Sequence, residues 1–536
     1  MNRRMTATVA AVMTAGALTY PVLDALDVAP GVLTSDWSVG SSVPQVESVR
    51  PAFDPASGVE EGGRDDAPSP AVSALDPEAP TPVPAVLAQK LRPLLAAPAL
   101  GARPGAMIID SASGTPLLTV NPDVPRTPAS TAKVLTAAAV AAGTDLSTTR
   151  RTRVLVGARP NTLVLVADGD TLLTRGKGDP YATAGRAGLA DLAAATARAL
   201  GGEGAGTADT GGTAGTGGTA GAGGTDGGGG TAGAGGTARA GGADAASGAG
   251  GGDSTKGPFA LILDDRVAAG PALAPTWERG DVNAGLTGPV TMLGLNDDRA
   301  LPGRPASADP AMTAALAFRD ALRAVGIAVA DQVTRLPARG APAQGPPLAE
   351  VASAPVADVL TLALAESDNA LTEVVARRAF VDRKVAPTFE AAGAHVVQTL
   401  TTLGVPTKGL RLLDTSGLTR GSTASVRTIT EVTQLAAGDT LPGFTQVIAG
   451  LPVAGLSGTL FDRYEAPAAA AGRGVVRGKS GTLTGVGGLT GTLVDDSGRL
   501  LTYTLLADAA PPGATLATRA ALDDVTSAVV TCGCTR

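Results

Sequence analysis

The sequence predicts an α/β (α+β) sandwich, an antiparallel sheet flanked by helices, split by a large inserted region. Three observations predict it. Strand-like runs separated by tight turns occur near both ends of the foldable portion, helical runs fill the middle, and a glycine-rich tract lies inside that span. The chain has 536 residues, 44% of them hydrophobic, enough for roughly two to four domains with sizeable cores.

The elements follow in order. Arg3 and Arg4 precede an uncharged stretch from Met5 to Leu18, so residues 1–26 read as an export signal, either cleaved or kept as an N-terminal membrane anchor. Tyr20, Pro21 and Asp24 interrupt that stretch below the ~20 apolar residues of an ordinary span. Residues 27–84, rich in Pro, Ser, Asp and Glu without hydrophobic periodicity, are expected to be a disordered spacer. Ala106–Asp110 and Pro116–Val120 predict a hairpin, and Ser130–Ala142 an apolar helix after Pro128. Thr162–Ala167 and Phe259–Leu263 read as strands, Ala187–Leu200 and Pro310–Val325 as helices. Between them residues 201–257, nearly half glycine in loose Gly-Gly-Thr-Ala-Gly repeats, are expected to be a disordered loop within a domain. Val475–Gly478, Leu489–Val494 and Leu500–Leu506 predict a meander, closed by a helix over about Thr515–Val530. Residues 85–148 and 345–536 are thus assigned to one domain, and 149–344 to the insertion.

Composition excludes several functions. A net charge of −7 and 2% aromatic residues argue against a nucleic-acid partner, which needs a basic face and stacking platforms. Cys532, Cys534 and the single His395 cannot supply the usual four ligands of a zinc site, so neither metal nor cofactor is expected. The two cysteines would close only a small strained ring and read as structural or incidental. A Ser-His-Asp hydrolase is disfavoured, because His395 sits in an Ala/Val-rich helix.

Three short motifs carry candidate chemistry. Of seven lysines, only Lys133 has a serine three residues before it. In a helix that spacing puts Ser130 and Lys133 on nearly one face, where a desolvated amine can take the serine proton. Ser367-Asp368-Asn369 offers a proton relay in Ser367 and an amide in Asn369 that donates to a substrate carbonyl and to Lys133. Lys479-Ser480-Gly481-Thr482, placed at the end of a short strand, offers an edge for a peptide backbone and groups to hold its carboxylate. Each has a bland reading: the first two as helix N-caps, the third as a glycine-rich hairpin turn. Their joint occurrence, in this order and 237 and 112 residues apart, favours the chemical reading.

This set is a known signature of serine β-lactamases and penicillin-binding proteins. The chain resembles the D-alanyl-D-alanine carboxypeptidase/endopeptidase family of class C low-molecular-weight penicillin-binding proteins. The likeness extends to TPASTAKVLTAAA (127–139), ALAESDNALTEVVAR (363–377), DTSGLTRGS (414–422), LPVAGLSGTLFDR (451–463) and GRGVVRGKSGTLTGVGGLTG (472–491). It implies a penicillin-binding-protein-like fold with a transpeptidase-like catalytic domain at 85–148 and 345–536. Ser130 would be acylated and Lys133 would be its base, while Ser367, Asn369 and Lys479 move protons and orient substrate. Ser480, Gly481 and Thr482 would bind substrate, and the backbone N–H groups of Ser130 and Thr482 would form the oxyanion hole. Ser480 stands where the family usually has threonine, which keeps the hydroxyl. The implied partners are peptidoglycan stem peptides, with β-lactams as inhibitors, outside the cytoplasm. Two alternatives stand beside this reading: a β-lactamase or esterase of the same fold, and a non-catalytic wall-binding scaffold.

Overall fold

A computed structural model describes residues 78–201, 257–437 and 440–534. The expected export segment, nearly all of the spacer and nearly all of the glycine-rich tract lie outside the described residues.

The described chain enters through helix α1 (Pro84–Leu95), then strands β1 (Gly105–Asp110) and β2 (Pro116–Val120). A single 3-10 turn, Ala129–Thr131, feeds α2 (Ala132–Ala141). A second unit follows: β3 (Thr149–Val156), β4 (Thr162–Val166), β5 (Asp170–Leu173), α3 (Leu189–Leu200), β6 (Phe259–Asp264), β7 (Leu293–Leu295), α4 (Pro310–Ala324), β8 (Val329–Arg335) and β9 (Ala349–Pro355). The chain returns through α5 (Val356–Ala365), α6 (Asn369–Val381), α7 (Phe389–Thr402) and α8 (Val426–Gln434). It closes with β10 (Arg477–Leu483), β11 (Val486–Val494), β12 (Leu500–Ala507) and α9 (Thr515–Val530).

The two ends meet in one antiparallel five-stranded sheet, β10-β11-β12-β1-β2. Met107 lies opposite Thr504 and Asp110 opposite Leu501, which fixes the join between segments almost 400 residues apart. Side chains of a strand alternate between faces. Ile108 packs into the layer of Leu87, Leu91 and Val525 from α1 and α9, whereas Met107 and Ile109 pack with Val134 and Ile429 from α2 and α8. Burial of each such large apolar side chain contributes on the order of 1.5–3 kcal/mol, so both faces of the sheet are anchored.

The second sheet, β8-β6-β4-β3-β9, is mixed. β3 runs antiparallel to β4 and β9, while β4–β6 and β6–β8 are parallel. Parallel neighbours need a crossover, supplied by the segment carrying α3 and by the one carrying α4. All five residues of β4 are buried, as expected for a strand covered on both faces. α4 starts as its sequence suggests: Pro310 occupies the first turn and Asp309 accepts from the Met312 N–H. Cys532 and Cys534 are buried and joined by a disulfide.

Candidate active site

The 3-10 turn that ends at Thr131 and the start of α2 set the first group. All ten residues of α2 are buried, Lys133 among them, and leaving an ammonium there unpaired would cost several kcal/mol. Three acceptors surround its Nζ: Ser130 Oγ at 2.9 Å, Asn369 Oδ1 at 2.5 Å and the Ser416 carbonyl at 2.8 Å. Burial pulls the amine down to about 8, against the opposing charges of Asp414, Asp368 and Glu373. A neutral amine has two N–H bonds; the Asn369 and Ser416 oxygens can take both, which aims the lone pair at Ser130 Oγ.

Ser130 itself is half-buried and follows Ala129, whose φ of 47 lies in the left-handed region. That conformation costs an alanine about 1–2 kcal/mol. It lets the chain turn sharply before the helix and places the hydroxyl at the mouth of α2.

The second group centres on the 366–369 turn. Ser367 has φ 58 and precedes Asp368, the N-cap of α6, whose carboxylate accepts from the Leu371 N–H at 2.8 Å. The helix therefore starts one residue later than a Ser367 cap would place it. Asn369, in the first turn, donates through Nδ2 to the Leu286 carbonyl at 2.7 Å, which turns its oxygen toward Lys133, so it accepts from the amine and is not the donor to Lys133 that the sequence suggests. Arg299, from the second unit, forms ion pairs with Glu366 and, at 3.2 Å, with Asp368. One guanidinium thus holds both acids that flank Ser367.

The third group lies on β10, the edge strand of the antiparallel sheet. Lys479 falls within this strand, not at its end as the sequence suggested. Its fully buried Nζ donates to Ser367 Oγ at 2.9 Å and to the Ser480 carbonyl at 2.7 Å. Burial lowers this amine well below the ordinary lysine range, and the Lys133 and Arg463 charges lower it further. Gly481 is where β10 touches the 3-10 turn: a Cβ there would meet the Pro128 carbonyl at 2.9 Å and the Thr131 nitrogen at 3.1 Å. On the alternate face, Ser480 Oγ donates to Thr459 Oγ1 at 2.8 Å, and Thr482 is half-buried beside it.

The fold therefore joins Ser130, Lys133 and Asn369 in one hydrogen-bonded group and Ser367 with Lys479 in another. Residues from the same site escaped sequence reasoning. Ser416 acts through its carbonyl, which no residue type signals, although its segment belongs to a stretch of recognisable likeness. Arg299 contributes from a segment without a motif, and Thr459 from the 3-10 turn Gly458–Leu460, inside a stretch of likeness that singles out no residue. His395 is elsewhere, its ring against Phe380 on α7 and α6.

The profile of the D-Ala-D-Ala carboxypeptidase 3 (S13) family matches residues 87–202 and 295–529. Carboxypeptidase DacB of Mycolicibacterium smegmatis is 31% identical over 91% of each chain. A D-alanyl-D-alanine carboxypeptidase of Actinomadura sp. is 33% identical over 36% of each chain. The crystal structure of penicillin binding protein 4 (dacB) from Haemophilus influenzae shares the fold, with a TM-score of 0.57 at 17% identity over 82% of this chain and 98% of that one.

Proposed function

Because the chain belongs to the D-Ala-D-Ala carboxypeptidase 3 (S13) family, we propose that it is a serine-type D-Ala-D-Ala carboxypeptidase/endopeptidase working on peptidoglycan stem peptides through an acyl-enzyme on Ser130. The observation that carries the reading is the Lys133 Nζ–Ser130 Oγ contact of 2.9 Å with the amine fully buried. Neutral Lys133 takes the proton as Ser130 Oγ attacks the penultimate D-alanine carbonyl. Backbone N–H groups of Ser130 and Thr482 receive the oxyanion. The C–N bond then breaks, and the departing amine collects a proton through Ser367, which Lys479 holds. Water hydrolyses the ester and returns Ser130. The peptide runs along the outer edge of β10 beyond Gly478, its carboxylate toward Ser480 and Thr482, with Thr459 fixing the Ser480 hydroxyl.

Such a substrate lies outside the cytoplasm, so residues 1–26 act as the export signal, and β-lactams, which also acylate the serine, act as inhibitors. Among the described residues no helix is long and apolar enough to cross a membrane; the expected anchor at residues 1–26 lies outside the described residues. The β-lactamase alternative needs a carboxylate to activate the deacylating water. Glu366, just before the second motif, and Asp368, within it, are both engaged by Arg299, which supports slow deacylation. The test is to compare D-alanine release from a synthetic stem pentapeptide with nitrocefin turnover. Faster peptide cleavage is expected; faster nitrocefin turnover would move the chain to the alternative, and neither activity would leave the scaffold reading.

A further inference from the structure

Beneath the amine of Lys133 lies a buried acid that none of the three motifs includes. Glu373 sits on α6 one turn after Asn369, so both side chains point off the same face of the helix. Its carboxylate is 1% exposed and is filled by one short segment. Oε1 accepts the Thr415 and Ser416 N–H groups, each at 2.8 Å, and Oε2 accepts the Thr415 hydroxyl at 2.6 Å. The carbonyl of the same Ser416 accepts from Lys133 Nζ at 2.8 Å.

The segment is gripped from two other sides. Thr136, one turn beyond Lys133 on α2, donates to the Thr415 carbonyl at 2.7 Å. Gly417, with φ 78, lies where a Cβ would collide with the Ala129 carbonyl. Glu373 thus accepts two consecutive backbone N–H groups and one hydroxyl, and the carbonyl of Ser416, the second residue so held, reaches the amine directly.

The charges around this acid are few. Arg377, one turn further along α6, faces it, while the guanidinium lies over the Phe389 ring at 4.7 Å. Asp414, at the head of the segment, accepts from the Gly417 and Thr419 N–H groups and from Trp277 Nε1 at 2.7–2.9 Å. Lys133 faces both acids from α2, with Asp368 and Lys479 on its other sides. Burial, with the Asp414 charge, pushes Glu373 up to about 7, against the Thr415 and Ser416 hydrogen bonds and the Arg377 charge. Glu373 is therefore mostly ionised by about 8, where the Lys133 amine loses its proton.

We propose that Glu373 is a positioning residue for the base: it holds the Asp414–Gly417 segment so that the Ser416 carbonyl fixes the Lys133 amine, and its negative charge holds the proton on that amine. The proposal rests on the reading of Lys133 as base. A glutamine fits the same space, since its oxygen can accept both N–H groups and its amide can donate to the Thr415 hydroxyl. It keeps the scaffold and removes the charge. An alanine removes both.

The test uses the full chain and measures the acylation rate by fluorescent penicillin against pH for wild type, Glu373→Gln, Glu373→Ala and Lys133→Arg. In Glu373→Gln the acid limb should move to lower pH by about half a unit to one unit, because the charge that raises the amine is gone. In Glu373→Ala acylation should fall about tenfold to a hundredfold at every pH, with pre-covalent penicillin affinity unchanged within about twofold. Lys133→Arg should not acylate; if it does so with the wild-type limb, the reading of Lys133 itself fails. An inert Lys133→Arg together with a Glu373→Gln limb that stays in place or moves upward would overturn the proposal alone. So would a Glu373→Ala variant that acylates like wild type.

Discussion

Lys479 Nζ donates to Ser367 Oγ at 2.9 Å, bridging residues 112 apart in sequence and joining the edge strand of one sheet to the turn before α6. The serine is held in the left-handed region, where a non-glycine residue is retained against a cost of about 1–3 kcal/mol only when its surroundings over-determine it.

A Ser367→Ala variant should keep its fold and lose peptide cleavage. The relay to the leaving amine is general acid catalysis, so kcat should drop by about a hundredfold to ten-thousandfold. D-alanine release under saturating peptide measures it, and a loss confined to KM would contradict the relay.

Arg299→Ala should loosen the same turn from the side of the second unit. It frees Glu366 and Asp368 together, and the expected result is a kcat/KM about tenfold lower, or more, from misplacement of Ser367. Arg299→Lys should not restore the rate, because a compact ammonium cannot spread across two carboxylates as a guanidinium does. Full activity in the lysine variant would show that charge alone suffices.

Gly417→Ala should destabilise the fold. The position combines a positive φ with a collision against the Ala129 carbonyl, and about 2 kcal/mol or more is expected from the two together. Urea unfolding followed by circular dichroism reads this as a lower midpoint with an unchanged slope; an unshifted midpoint would mean that the segment relaxes freely.

Acylation should be slow at low pH and rise through an apparent pKa near 8, the value to which burial brings Lys133. The sign follows from the chemistry: only the neutral amine can accept the Ser130 proton, so activity grows as the ammonium is lost. The same depression affects stability. Between about 8 and the ordinary 10.5 of the unfolded chain, the unfolded amine binds more protons than the folded one. In that window this residue makes stability rise with pH. A penicillin-acylation profile with no limb near 8 would contradict the assignment of the base.

Much of this site was readable from side-chain types. A serine three residues before a rare lysine, Ser-Asp-Asn before a helical run, and Lys-Ser-Gly-Thr beside alternating apolar residues each mark chemistry by identity and spacing. The hairpin of Ala106–Asp110 and Pro116–Val120 and the helix at Thr515–Val530 are equally plain, because turn residues and periodicity bracket them. Other features were not legible, for physical reasons. The Ser416 carbonyl is backbone, common to every residue. Glu373 lies in a helix where glutamate is an ordinary surface residue, and only tertiary packing buries it. The parallel pairing of β4, β6 and β8 depends on crossovers that strand patterns do not encode. Sequence alone puts Lys479 too near a strand end, because the glycines around it suggest a turn, whereas Gly481 serves the close approach to Pro128 and Thr131.

The central claim is that Ser130 forms the acyl-enzyme. Mass spectrometry of the full chain after brief exposure to penicillin, followed by peptide mapping, tests it most directly. One adduct is expected, on the peptide carrying Ser130, and none on the Ser130→Ala variant. An adduct at another residue, or equal labelling of Ser130→Ala, would contradict it.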